Sequence, residues 1–186
     1  MRKVMVFLAI ISVVYMPTVA GALDVGLTPS HVYSLWVNIN TAILSVGKFV
    51  GGEGIAKNSI SAIKPGKFTG KTPGNVLALS LEVESLIDGL RITSDLPPTR
   101  GLDVGSENTT PSDVFLVSSR VLISGVELII RKTEADHLIS PYFSHHIFDG
   151  KTPSDVYALV DLAHRRLLAI EKKIIEAEAT GMAEMP

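Results

Sequence analysis

Residues 152–174 read TPSDVYALVDLAHRRLLAIEKKI, a helix start followed by a helix seam. Thr152 offers a side-chain oxygen to a free backbone N–H of the first turn, and Pro153 lacks the N–H that would go unpaired there in any case. Asp155, three residues after the threonine, completes an acidic capping box and suits the positive end of the helix dipole. Behind it, Val156, Val160, Ala163, Leu167, Ile170 and Ile174 alternate steps of four and three, the apolar stripe of a helix packed in a bundle.

The same start occurs four times. Thr28-Pro29-Ser30-His31-Val32, Thr72-Pro73-Gly74-Asn75-Val76, Thr110-Pro111-Ser112-Asp113-Val114 and Thr152-Pro153-Ser154-Asp155-Val156 are separated by 44, 38 and 42 residues. Tyr33, Leu77, Phe115 or Tyr157 follows each valine, and Gly26, Gly70 and Gly150 stand two places before the threonine in three copies. Counted from the valine, apolar residues recur at +3, +7 and +14: Leu35, Ile39 and Val46; Leu79, Val83 and Leu90; Val117, Val121 and Leu128; Leu159, Ala163 and Ile170. The chain thus reads as four internal repeats of about 40 residues, each opened by an N-cap at Thr28, Thr72, Thr110 or Thr152.

This pattern predicts an all-α protein with helices over 29–50, 73–92, 111–134 and 153–179. Amphipathic helices cannot bury their seams alone, so a four-helix bundle is the expected architecture, with a helical-repeat solenoid as the alternative. The linkers 51–71, 93–109 and 135–151 are long, since bundle connections usually take about two to eight residues. Either they hold short helices, Ile55–Ile63 being a candidate along with an extension of the third helix to about Ile139, or they carry the chain back along the bundle. Seventeen residues at about 3.3 Å each outreach a helix of about 35 Å, and such returns would allow parallel neighbours. Ser118 and Gly125 are unusually small for their places in the third helix, which suggests room for a bulky neighbour such as Trp36.

The N-terminus reads as a secretory signal. Arg2 and Lys3 precede an uncharged run from Val4 to Met16, and Ala20-Gly21-Ala22 supplies a small-x-small cleavage pattern, placing the cut before Leu23. Thirteen largely apolar residues span only about 20 Å as a helix, too short for a hydrocarbon core of about 30 Å. The expectation is a cleaved signal over 1–22 and a single helical domain over 23–186, periplasmic or secreted, with no transmembrane segment. Cleavage removes two basic residues and no acid, which takes the formal charge from −2 to −4. The mean hydropathy of +0.34 owes part of its size to the signal.

Composition narrows function by exclusion. An acidic balance speaks against nucleic-acid binding. The absence of cysteine removes thiol catalysis, disulfides, cysteine–zinc sites, iron–sulfur clusters and a lipidated N-terminal cysteine. Gly70-Lys71-Thr72 and Gly150-Lys151-Thr152 resemble the end of a phosphate loop, but Pro65 and His145 stand where its first glycine belongs, and a proline follows each threonine. Glu134-x-x-His137 matches, and Asp161-x-x-His164 nearly matches, the Glu-x-x-His pattern of di-metal bundles, which need two such pairs and two further carboxylates in the core. His164 beside Arg165 and Arg166 is expected at the surface or against a linker. No Gly-x-Ser-x-Gly elbow is present.

His145-His146, between Phe143 and Phe148, is the candidate ligand or metal site, on a loop whose aromatics are expected to pin it to the bundle. Tyr33 and Tyr157 could form an aromatic patch at equivalent places. The expected function is therefore non-enzymatic: an exported bundle, without a cofactor, that binds a protein partner or a small ligand. The alternative is a metal- or cofactor-binding bundle using the histidines near the third linker.

Overall fold

The computed structural model describes residues 25–51, 59–99, 101, 108–133, 140–144 and 146–179. Residues 1–22, 134–139, His145 and residues 55–58 of the Ile55–Ile63 segment, on which some of the expectations above fall, lie outside the described residues. Four helices make up nearly all the regular structure: α1 (Pro29–Gly51), α2 (Pro73–Ile92), α3 (Pro111–Thr133) and α4 (Pro153–Ala179). Each begins at the proline of a Thr-Pro pair. Among the described residues, a 3-10 turn, Ser140–Tyr142, lies between α3 and α4.

The helices close into a bundle rather than an open solenoid stack. α1 packs on α3 and α4, and α2 packs on the same two, so that α1 faces α2 diagonally across the core. Pro29, Pro73, Pro111 and Pro153, with Val32, Val76, Val114 and Val156, all line one apolar dimple of about 10 Å³. All four helix starts therefore sit at one end, and the helices run parallel.

Parallel direction puts equal steps from the proline at equal height. Below the valine layer come Trp36, Ser80, Ser118 and Val160; then Ile39, Val83, Val121 and Ala163; then Ile43, Ile87, Gly125 and Leu167; then Val46, Leu90, Leu128 and Ile170. All of these residues are buried. Large residues meet small ones within a layer, as close packing at constant cross-section requires. The indole of Trp36, 0% exposed, shares its layer with two serines. The Ser80 and Ser118 hydroxyls donate to the Val76 and Val114 carbonyls one turn back, each at 2.7 Å, so neither leaves a polar group unpaired beside the indole.

The linkers return the chain from the far end to the shared start, and each described stretch is strapped to a helix. In the first, residues 60–71 climb the outside of α4. Ile60 is fully buried against Gly47 and Ile170, where a Cβ on residue 47 would lie 3.0 Å from Ile60 Cδ1. Arg166 and Arg165 then donate to the Ile63 and Lys64 carbonyls. In the third linker, Tyr142 donates to Ser45 Oγ at 2.8 Å, Asn38 donates to the Ser144 carbonyl at 3.0 Å, and the Phe148 N–H donates to Ser34 Oγ at 3.2 Å, a climb along α1. In the second, Thr99 donates from its N–H and hydroxyl to Asp88 Oδ1 and its hydroxyl meets Ser124 Oγ at 2.8 Å, in the seam of α2 and α3. These bonds satisfy extended backbone that has no sheet to join.

Candidate binding site

The site grows from the shared helix starts. Thr72 caps α2: its hydroxyl accepts from the Asn75 N–H, and Asn75 Oδ1 accepts from the Thr72 N–H. Thr110 with Asp113 and Thr152 with Asp155 repeat the reciprocal pair, each carboxylate taking the threonine N–H at 2.8 Å. At α1 an imidazole stands in that place: His31 Nδ1 accepts from the Thr28 N–H at 3.1 Å and meets Thr28 Oγ1 at 2.9 Å. The hydroxyl and the N–H of Thr152 hold Asp155 below the ordinary aspartate value; burial opposes them, and the Lys151 charge adds a smaller effect.

A second set of bonds ties three of the four starts to a neighbouring helix. The Lys71 N–H donates to Ser154 Oγ, the Lys151 N–H to Ser30 Oγ and the Val25 N–H to Ser112 Oγ, at 3.1, 3.1 and 3.2 Å. Gly74 occupies the corresponding place on α2, without a hydroxyl. Gly26, Gly70 and Gly150, just ahead of the caps, all have φ near +70°, a left-handed turn that glycine makes without strain.

On this scaffold the chain builds the same aromatic joint twice. Phe68, four residues before Thr72, packs edge-on against Tyr157 at 4.9 Å, and Lys71 Nζ lies 4.2 Å from the tyrosine ring centre. Phe148, four before Thr152, packs edge-on against Tyr33 at 5.3 Å, with Lys151 Nζ 4.6 Å from that ring. Each joint combines a T-shaped pair with a cation over a ring face.

Phe115 holds the place of Tyr33 and Tyr157 on α3, yet it makes no ring contact among the described residues. The residue four before Thr28 is Asp24, which is not aromatic. Phe115 instead borders a groove of about 200 Å³ between α1 and α3, walled by His31, Leu35 and Asn38 of α1 and by His146 and Ile147 of the third linker. Its lining is mostly apolar. Ile147 and Phe143, on the same linker, are 51% and 40% exposed.

No protein-family model, no curated protein and no solved structure matches this chain.

Of the two histidines singled out in the sequence, His146 lies on the groove, its ring 4.4 Å from Phe148. His31, which the sequence pattern presents only as part of a helix start, joins it there. The linker is pinned by Phe148 and by Tyr142, which is buried, whereas Phe143 points to solvent, contrary to the expectation that both phenylalanines hold the loop. His164 meets Glu82 of α2 at 3.6 Å, and Asp161 bonds Arg165, so neither faces the core. Among the described residues, no three His, Asp or Glu side chains come close enough to hold a metal ion.

Several buried polar groups gave no sequence signal. Arg166 is only 8% exposed and donates to Asn40 Oδ1 at 3.0 Å, while Asn40 Nδ2 donates to the Trp36 and Leu159 carbonyls. Burial, with the charge of Arg165 beside it, pushes the Arg166 guanidinium below the ordinary arginine value. Between α2 and α3, Arg120 forks onto Glu84 at 2.7 and 2.9 Å, and Arg91 pairs with Glu127. These residues flank the seam, where long charged side chains bridge neighbouring helices. A second depression, beside Arg91, Leu96 and Ile130, is bordered by the Arg91–Glu127 pair, whose polar groups are already matched.

Proposed function

We propose that this protein is an exported, non-catalytic binding module, built from four copies of one helix-plus-linker unit, and that it binds through the α1–α3 groove. One observation carries the reading: two of three equivalent aromatic joints are closed by the chain's own phenylalanines, whereas at the third no ring among the described residues meets Phe115, which borders a groove instead. A cavity of about 150 Å³ takes a benzene ring, and pockets for drug-sized ligands run to about 300–1,000 Å³. A groove of about 200 Å³ therefore suits one ring. The polar groups around it favour holding over chemistry: Ser34 donates to a backbone carbonyl and Asn38 to another, so neither is set against a base. Common descent of the four units is supported by the recurring cap, the serine bonds and the three left-handed glycines.

The test is an NMR titration of the purified protein with benzyl alcohol. Saturable shifts confined to Phe115, His31, Leu35 and His146 are expected. Shifts spread over the surface, or none, would refute the assignment of the groove. Export is checked separately, by recovering the protein from the periplasm or medium with Leu23 at its N-terminus; a chain retaining Arg2 and Lys3 would contradict it.

A second reading is favoured by the two histidines that line one groove: a surface site for a transition metal, with imidazole ligands. Zinc titration distinguishes it. Tight binding lost in both His31→Ala and His146→Ala would replace the apolar reading.

A further inference from the structure

The filled joints show what kind of group the open one takes. In each, the ring arrives on extended backbone that climbs the outer face of a helix, antiparallel to it, and is fixed by an N–H donated to the serine of that helix's first turn. The helix that receives the strap is always the neighbour of the helix about to start. Residues 60–71 climb α4 before α2 begins, residues 142–144 and 146–151 climb α1 before α4 begins, and Thr99 is tied to α2 ahead of α3.

By that order, the outer face of α3 is the fourth track, the one that leads to the start of α1. Its upper end is taken by Val25 on Ser112. Below that bond the face presents Phe115, and Ile123 is 52% exposed one helical stretch further down. With the signal removed before Leu23, as proposed above, the exported chain has only two residues ahead of Val25 and no aromatic with which to close the joint.

Resting on the binding function proposed above, we infer that the α1–α3 groove receives an extended peptide segment of a partner protein, which places a phenylalanine ring edge-on against Phe115 under His146 and Ile147. The chemistry is that of Phe68 on Tyr157 and Phe148 on Tyr33, supplied in trans. An edge-on aromatic pair adds about 0.5–1.5 kcal/mol to the burial of the ring itself, so the ring dominates recognition and the flanking residues set register. Ile147, exposed in the groove wall, widens the apolar contact on the linker side.

The probe is the acetylated heptapeptide Gly-Lys-Phe-Thr-Gly-Lys-Thr, the sequence of residues 66–72, titrated to about 1 mM into the purified protein and followed by NMR. Saturable shifts at Phe115, His31 and His146 are expected, with no such shifts from the peptide carrying alanine in place of phenylalanine. Phe115→Ala should weaken binding at least tenfold, and the alanine peptide gives the same answer without touching the fold. The inference is overturned if the peptide leaves the groove unchanged, if the alanine peptide binds equally well, or if the groove is closed by a concentration-dependent dimer of the chain. Benzyl alcohol separates the two levels: groove shifts with it but not with the peptide refute only the peptide partner, and silence from both refutes the binding function as well.

Discussion

Gly125 of α3 faces Ile87 across the core: a Cβ built on Gly125 would lie 4.0 Å from Ile87 Cδ1. That is ordinary van der Waals contact, so a methyl added at residue 125 meets its neighbour without a clash. The layer it belongs to already holds Ile43, Ile87 and Leu167, all essentially unexposed.

Gly125→Ala is therefore expected to stabilise the protein by up to about 1 kcal/mol, the helix-propensity difference, because the added methyl meets no obstacle. Gly125→Leu should cost about 1–3 kcal/mol through overpacking. Urea unfolding of both variants checks this, and a destabilised alanine variant would mean that the fourth layer is differently composed.

Trp36 and Ser118 occupy one layer on adjacent helices. Trp36→Ala should cost about 3–5 kcal/mol and Ser118→Leu about 1–3 kcal/mol. The double variant should cost less than the two together, because the leucine then grows into the space the indole leaves. Strict additivity in a double-mutant cycle would show that the two residues do not share a layer.

Acid should loosen the start of α4. The hydrogen bonds from Thr152 depress the Asp155 value in the folded state below 3.8, its ordinary value, so this group's stabilisation is complete above the unfolded value and is lost as pH falls through the folded one. Asp155→Asn keeps an acceptor in the capping place, as Asn75 does on α2, but carries no charge. The stability advantage of the wild type over this variant, measured by denaturant titration at a series of pH values, should be constant near neutrality and shrink below about pH 3.8. An advantage that grew on acidification would contradict the assigned sign.

His31 fills at α1 the capping place that Asp113 and Asp155 fill on α3 and α4, and the first turn of α1 has no acid. His31→Asp should raise stability by about 0.3–1 kcal/mol through the helix dipole. A higher denaturation midpoint with an unchanged slope is the expected observation, and a lower midpoint would show that the imidazole contributes something in the groove that a carboxylate cannot.

Much of this fold was legible from the Thr-Pro starts. They place every helix within a residue or so of its observed bounds, because cap chemistry is local: Thr152 and Asp155 act within one turn, and no distant residue is needed to read them. The stripe from Val156 to Ile174 named the core for a similar reason. Helix direction was beyond local reading, since an amphipathic seam is equally apolar from either end; linker length allowed parallel helices without requiring them. Without direction, the layer joining Trp36 to Ser80 and Ser118 could be suspected but not assembled. The site was less legible still. His146 stood out by its residue type, whereas the groove is marked by Phe115, which, unlike Tyr33 and Tyr157, meets no ring among the described residues. That relation appears only once Phe68 and Phe148 are seen closing the other joints. Arg166 gave no sign of burial, because an arginine beside a seam reads as solvated until Asn40 is found opposite it.

The parallel arrangement underlies both the layers and the order of the straps, and it can be tested with the first-layer valines. In a methyl-labelled sample, nuclear Overhauser contacts are expected among Val32, Val76, Val114 and Val156, which line one dimple in this structure. A helix of 20 residues spans about 30 Å, so any antiparallel helix would carry its valine to the far end and out of range. Cross-peaks linking all four valines are the predicted result; a valine with no contact to the other three would contradict the account.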